Sequence, residues 1–133
     1  MFLLDTNVCI RYLNGRSPSI RERLAATNVK DIYTCSIVKA ELFYGAMRSN
    51  NPQRNLANQQ RFINLFSSLS FDDDVALIYG KIRAHLAQQG TPIGSNDLQI
   101  AAIALKYDLT LVTHNTREFK RVPKLRLEDW EQD

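Results

Sequence analysis

The segment Leu98-Gln99-Ile100-Ala101-Ala102-Ile103-Ala104-Leu105 is apolar on nearly every side when wound as a helix. A helix with no polar face belongs at the centre of a core, where other elements can cover it all round. Just beyond it, Leu109-Thr110-Leu111-Val112-Thr113 is the clearest strand in the chain. Three further strands are expected, at Phe2–Leu4, Ile32–Cys35 and around Leu69–Phe71, with a last short one at Leu125–Leu127. The first ends in Asp5-Thr6-Asn7, a turn or helix cap. The second runs into a helix from Ile37 to about Met47, with Ser36 as its N-cap. Asn50-Asn51-Pro52 breaks the chain, and Leu56, Phe62, Ile63, Leu65 and Phe66 then recur at partly helical spacing. A further helix places Val75, Ile78, Ile82 and Leu86 on one face and stops at Gly90. Three successive acids, Asp72 to Asp74, stand at its start, where the partial positive charge of a helix N-terminus favours them, so they are read as caps rather than metal ligands. Strands alternating with helices predict an α/β fold, a short and mostly parallel central sheet flanked by helices.

At 133 residues the chain is expected to form a single domain, 1–133, that needs no disulfide or structural metal. No apolar run approaches the roughly 20 residues that span a bilayer, and Met1–Leu4 is too short for a signal-peptide core. A cytoplasmic protein without a membrane partner is expected. Cys9 and Cys35 fit that compartment as reduced, buried small hydrophobes, and the isolated His85 and His114 show no zinc spacing. The net charge of +3 leans only weakly towards polyanions. Its distribution says more, since residues 117–126 hold five basic groups and residues 128–133 hold four acids.

Three acids sit where an acid is locally out of place. Asp5 closes a buried strand, at the carboxyl edge where open parallel sheets keep their ligand crevice. Asp97 opens the most apolar helix, and Glu41 is the only acid in Ile37–Met47. Each has a plain structural role open to it: Asp5 could cap the next helix, Asp97 could complement a dipole, and Glu41 could pair with Lys39 or Arg48. Together they suggest more, because an α/β sheet can bring all three to one edge. Carboxylates gathered without basic partners repel one another and shift upward in pKa. A hard divalent cation relieves that conflict, and Mg²⁺ binds through a few carboxylates together with substrate phosphate oxygens. Phosphodiester hydrolysis is the natural reaction for such a site.

The order Asp5-Thr6-Asn7, then Ala40-Glu41-Leu42-Phe43-Tyr44-Gly45-Ala46, then Pro92-Ile93-Gly94-Ser95-Asn96-Asp97-Leu98, then Leu111-Val112-Thr113-His114-Asn115-Thr116-Arg117-Glu118-Phe119 resembles the PIN-domain nucleases. More narrowly it resembles the VapC-type toxins of toxin–antitoxin pairs, and Arg121-Val122-Pro123 to Leu127-Glu128-Asp129-Trp130 matches that group as well. The resemblance implies an endoribonuclease dependent on Mg²⁺ or Mn²⁺, with Asp5, Glu41 and Asp97 as the acidic triad that holds the metal. It implies supporting roles for Asn7 and Thr113, a homodimer, and a cognate antitoxin that keeps the enzyme silent. Many PIN domains carry a fourth acid about where Asn115 stands, so Asn115 would act through its carbonyl or Glu118 would supply the missing carboxylate. Among RNA targets a tRNA is preferred.

Lys120, Arg121 and Lys124 follow the Leu109–Thr113 strand and are expected to grip RNA phosphates beside the acids. An empty acidic pocket would also accept an Arg or Lys from a silencing partner, with Phe43, Tyr44 and Met47 lining part of its groove. Two rival readings fit the residues less well. A haloacid-dehalogenase-like phosphatase needs a second Asp where Asn7 stands, and a non-catalytic RNA-binding or scaffold version of the fold has no use for an intact triad. Neither a Gly-x-Gly-x-x-Gly nor a Walker-type loop is present for nucleotide binding.

Overall fold

The computed structural model describes residues 1–132; Asp133, the last acid of the tail, lies outside them. Five short strands form one sheet: β1 (Phe2–Leu4), β2 (Ile32–Cys35), β3 (Ser67–Leu69), β4 (Thr110–Val112) and β5 (Leu127–Glu128). Their spatial order is β3-β2-β1-β4-β5 and every neighbouring pair is parallel. Leu3 sits level with Tyr33 on one side and Leu111 on the other. The helices are α1 (Thr6–Leu13), α2 (Pro18–Ala26), α3 (Ser36–Met47), α4 (Pro52–Ile63), α5 (Asp73–Gln88), α6 (Ser95–Lys106) and α7 (Thr116–Phe119).

This order has a consequence for function. The chain builds outward from β1 through β2 to β3, then crosses back to lay β4 and β5 on the other side. The direction of winding reverses between β1 and β4, and such a reversal leaves a crevice at the carboxyl ends of the strands. Asp5 follows β1 and Thr113 follows β4, so both lie at that crevice.

As its composition requires, α6 is central. Leu98 and every residue from Ile100 to Ala104 are buried, and the small Ala101, Ala102 and Ala104 let neighbours approach closely. Burial of each large aliphatic side chain contributes roughly 1.5–3 kcal/mol, so truncating Ile103 to Ala would cost about 2–5 kcal/mol. The C-terminal segment is fastened by Trp130, which is buried, meets Phe2 edge-on, donates from its indole N–H to Glu128 and lies under the Arg23 guanidinium.

Several local expectations shift. The N-cap of α3 is Cys35 rather than Ser36, because β2 runs to Cys35 and Ser36 is already helical and exposed. Strand β3 falls at Ser67–Leu69, ahead of the expected Leu69–Phe71. It is an edge strand with exposed serines, while Phe71 has left the ladder to pack against Tyr79. Similarly β5 is Leu127–Glu128 rather than Leu125–Leu127, set by its pairing with Leu111 and Val112. Helix α2 was not expected, although Ser17-Pro18 is a readable start: Ser17 caps Ile20 N–H and Pro18 sits in the first turn. Asp72 caps α5 by accepting from Val75 N–H, Gly90 adopts positive φ just past its end, and both cysteines are free and buried, all as expected. Among the described residues, no helix is long and apolar enough to cross a membrane.

Candidate active site

Asp5 is fixed by the backbone around it. Its N–H bonds Val112 carbonyl at 3.1 Å, carrying the β1–β4 ladder one residue past the strand, and its Oδ1 accepts from Val8 N–H at 2.9 Å as the cap of α1. The Asn7 N–H and the Thr113 hydroxyl also donate to it. Thr113 is itself buried and takes the Asn115 N–H at 3.0 Å. Only 6% of Asp5 is exposed, and burial raises its pKa against the opposing pull of these hydrogen bonds.

Glu41 projects from the middle of α3 and is gripped from two sides. The Thr6 hydroxyl, first residue of α1, donates to its Oε1 at 2.6 Å, and the Asn96 amide of α6 donates to Oε2 at 3.4 Å. Neither Lys39 nor Arg48 forms an ion pair with it among the described residues. Asp97 lies in the first turn of α6, where the helix dipole favours a negative charge. Burial nevertheless pushes its pKa up to about 6, and the charges of Glu118, Asp5 and Glu41 push the same way. Glu118 stands on α7 and accepts from the Asn115 amide at 3.1 Å. Its nearest partners are thus an amide and the acids, not Arg117 or Arg121.

Four carboxylates therefore converge at the switch point, held by hydroxyls, amides and backbone N–H groups, with no cation paired to any of them among the described residues. The same residues contain no group of three or more His, Cys, Asp or Glu side chains drawn together closely enough to form a ready-made metal cage. Such an open cluster can take up positive charge and present it to a phosphate.

A family model described as the PIN domain matches residues 2–125. The tRNA(fMet)-specific endonuclease VapC of Salmonella typhimurium is 44% identical over 129 residues, which is 97% of each chain. The chain belongs to the PIN-domain family. Within it, it groups with the VapC-type toxins of toxin–antitoxin systems, which are ribonucleases: ribonuclease VapC2 of Rickettsia felis is 39% identical over 98% of both chains. Among solved structures, DNA-bound VapBC from Salmonella typhimurium superposes with a TM-score of 0.92 at 44% identity, covering 97% of each chain. FitAcB from Neisseria gonorrhoeae does so at 0.89 with 29% identity and full coverage of both. The family match leaves no room for the haloacid-dehalogenase reading.

Within this PIN fold the structure brings Asp5, Glu41, Asp97, Thr113, Asn115 and Glu118 to one place. Asn7 reaches Asp5 through its backbone, while its exposed side chain lies between two clefts. The basic stretch is split. Since β4 and β5 are parallel, residues 115–126 must travel from the carboxyl edge back to the amino edge. Lys120 is exposed just past α7, and Arg121 donates to the Pro92 carbonyl in the loop before Asp97. Lys124, with positive φ, lies on the return path, and Arg126 has reached Asp108 at the far end of α6. Sequence reasoning missed Thr6 and Asn96. Their signal was adjacency, since each is the neighbour of a singled-out acid within its motif.

Proposed function

We propose that this PIN-domain chain, one nuclease domain over 1–133, is the toxin of a toxin–antitoxin pair that hydrolyses RNA phosphodiester bonds, with a tRNA as substrate and Mg²⁺ or Mn²⁺ as cofactor. The observation that carries this reading is the cluster of four carboxylates at the switch point, paired with no cation among the described residues, one of them pushed up to about 6 by burial and by the others. The tRNA choice draws support from the 44% identity to a tRNA(fMet)-specific relative.

The donor set fits the ion. Asp5, Glu41 and Asp97 offer hard carboxylate oxygens without nitrogen or sulfur, the chemistry of Mg²⁺ and Mn²⁺ sites, and Mg²⁺ keeps several waters, so a closed cage is not required. The bound ion supplies charge neutralisation at the scissile phosphate and a more acidic water. The protein's part is positioning. The N–H groups of Asn7 and Val8 and the Thr113 hydroxyl stop Asp5 from turning, and Thr6 and Asn96 do the same for Glu41. Glu118, oriented by Asn115, adds a fourth negative charge beside Asp97. Lys120 and Arg121 are suited to phosphates flanking the cut, and Lys124 to a more distant one.

The toxin works in the cytoplasm as a homodimer silenced by an antitoxin that places an Arg or Lys among the acids. The similar chains solved as VapBC and FitAcB assemblies support the partner. The test is cleavage of tRNA transcripts with Mg²⁺, with Mn²⁺, and in excess chelator, with the cut ends mapped. Cuts that need the ion and vanish in Asp5→Asn are expected. Undiminished cleavage in chelator would overturn the metal assignment, and metal binding without cleavage of any RNA would favour the scaffold reading.

A further inference from the structure

Helix α3 turns Val38, Leu42 and Ala46 into the core. Its opposite stripe carries Glu41, Tyr44 and Arg48, spaced three and four residues apart and so aligned on one face. Tyr44 is 66% exposed, the largest such value among the exposed large apolar and aromatic side chains. The Arg48 guanidinium lies 5.1 Å from the centre of its ring and forms no ion pair among the described residues. Both side chains line a cleft of about 500 Å³ whose other end is Glu41, with Thr6, Asn7 and Asn96. Carboxylate, aromatic ring and unneutralised cation thus stand in a row, spanning about 10 Å of helix between Glu41 and Arg48.

Gly45 lines the same cleft. Glycine in the middle of a helix costs roughly 0.5–1 kcal/mol against alanine. Among the described residues nothing accounts for it, because a Cβ at Gly45 would meet no atom within 4 Å beyond its own stretch of helix and its φ is ordinary. Something that passes close over α3 would.

We propose that Tyr44 and Arg48 form a subsite for one nucleotide next to the scissile phosphate: its base stacks on the Tyr44 ring, its phosphate meets Arg48, and Gly45 lets its backbone lie against the helix. This rests on the ribonuclease reading and adds to it how RNA is held. A base suits the cleft because the Tyr44 ring and the Arg48 guanidinium stand side by side on a path that leads to Glu41, and unstacked bases seek aromatic faces and guanidinium planes.

The experiment compares wild type, Tyr44→Phe, Tyr44→Ala, Gly45→Ala and Arg48→Ala on a tRNA transcript and on the same RNA carrying one abasic nucleotide beside the cut. Tyr44→Ala is expected to raise KM about tenfold, the size of one lost base–aromatic contact, with kcat within about twofold and Tyr44→Phe close to wild type. The abasic nucleotide at one flanking position should raise KM equally, and Tyr44→Ala should add nothing further on that RNA. Arg48→Ala should flatten the log–log salt dependence of RNA affinity by about 0.7, and Gly45→Ala should raise both Tm and KM. Unchanged KM in Tyr44→Ala, or losses that multiply with the abasic change at every position, would overturn the subsite. Altered dimerisation or antitoxin inhibition with unchanged KM would assign the ring to a protein contact instead. If wild type cuts no RNA, the ribonuclease reading falls by itself, and the subsite stands or falls on whether Tyr44→Ala weakens binding of the transcript in a filter assay.

Discussion

The two ends of α6 treat charge in opposite ways. At its start Asp97 is half-buried among Glu118, Asp5 and Glu41, with no cation paired to any of them among the described residues. At its end Lys106 meets Asp74 at 3.6 Å, and just beyond it Asp108 accepts from Arg126 at 2.8 Å. The tail is arranged like the second end, with Glu128 on Arg23, Glu131 on Arg11 and Asp129 on His114. Outside the cluster, five of the described acids are matched with bases while Glu22, Asp31, Asp72 and Asp73 are not, so what sets the cluster apart is that its four unmatched acids act on one another. Repulsion retained in a folded protein lowers stability and leaves a site that gains by binding positive charge.

The largest expected effects lie at the unmatched end. Asp5→Asn, Glu41→Gln and Asp97→Asn should each lower RNA cleavage on the order of a thousandfold, with double variants scarcely worse, because the residues act as one site. A folded Asp97→Asn enzyme with near-normal kcat would remove the functional half of the comparison. Thr6→Val and Asn96→Ala, which release Glu41 without altering any charge, should cost about tenfold, as loss of an orienting partner commonly does. If neither changes the rate or the Mg²⁺ dependence, Glu41 needs no holding.

Stability should move the other way. In the folded protein Asp97 titrates near 6 against an ordinary value of 3.8. Between those values the folded state binds the proton more tightly than the unfolded chain does. The residue is therefore most compatible with folding at low pH and becomes destabilising as pH rises from about 4 to about 6. Solvent screens a half-exposed group, so the effect at pH 8 should be about 1 kcal/mol, or roughly 3–6 °C in Tm for a chain of this size. Asp97→Asn should melt higher than wild type by that amount at pH 8 and equally at pH 4. Equal Tm values at both pH values would show that the cluster carries no strain. Cleavage should also decline at low pH, with a midpoint that moves down as the Mg²⁺ concentration rises, since protons and the ion compete for the same carboxylates.

Much of this was legible in the chain itself. The apolar surround of α6 demanded a central helix, and the run Phe2–Leu4 before Asp5 demanded a buried strand with an acid at its edge. Glu41 stood out as a lone acid in an apolar helix. What escaped was decided by pairing and by hydrogen bonds. Strand β3 shows two exposed serines because it stands at the sheet edge beside β2, so no hydrophobic pattern marks it. Thr6 and Asn96 look like ordinary cap-region residues until folding brings Glu41 between them. The basic stretch read as one patch because sequence proximity hides the return from one sheet edge to the other.

That return supplies the smallest and sharpest contrast. Arg126 belongs to the same basic run as Lys120 and Arg121, yet it sits at the matched end of α6, where it bonds both the carboxylate and the carbonyl of Asp108. The pair is exposed, at 55% and 86% of the two side chains, and surface pairs of this kind contribute at most about 1 kcal/mol. Asp108 also holds positive φ, a conformation that aspartate tolerates better than most residues, so part of its fitness there is independent of the arginine. Arg126→Ala should therefore lower Tm slightly, by an amount that shrinks in high salt, and should leave RNA cleavage and the salt slope of RNA binding unchanged. Lys120→Ala with Arg121→Ala should do the reverse, sparing Tm and flattening the slope by up to about 1.4 if both meet phosphates. Salt titrations of the two variants in the Asp5→Asn background decide the matter. A slope lost equally with Arg126 would mean that RNA runs the length of α6 and that its two ends share one task.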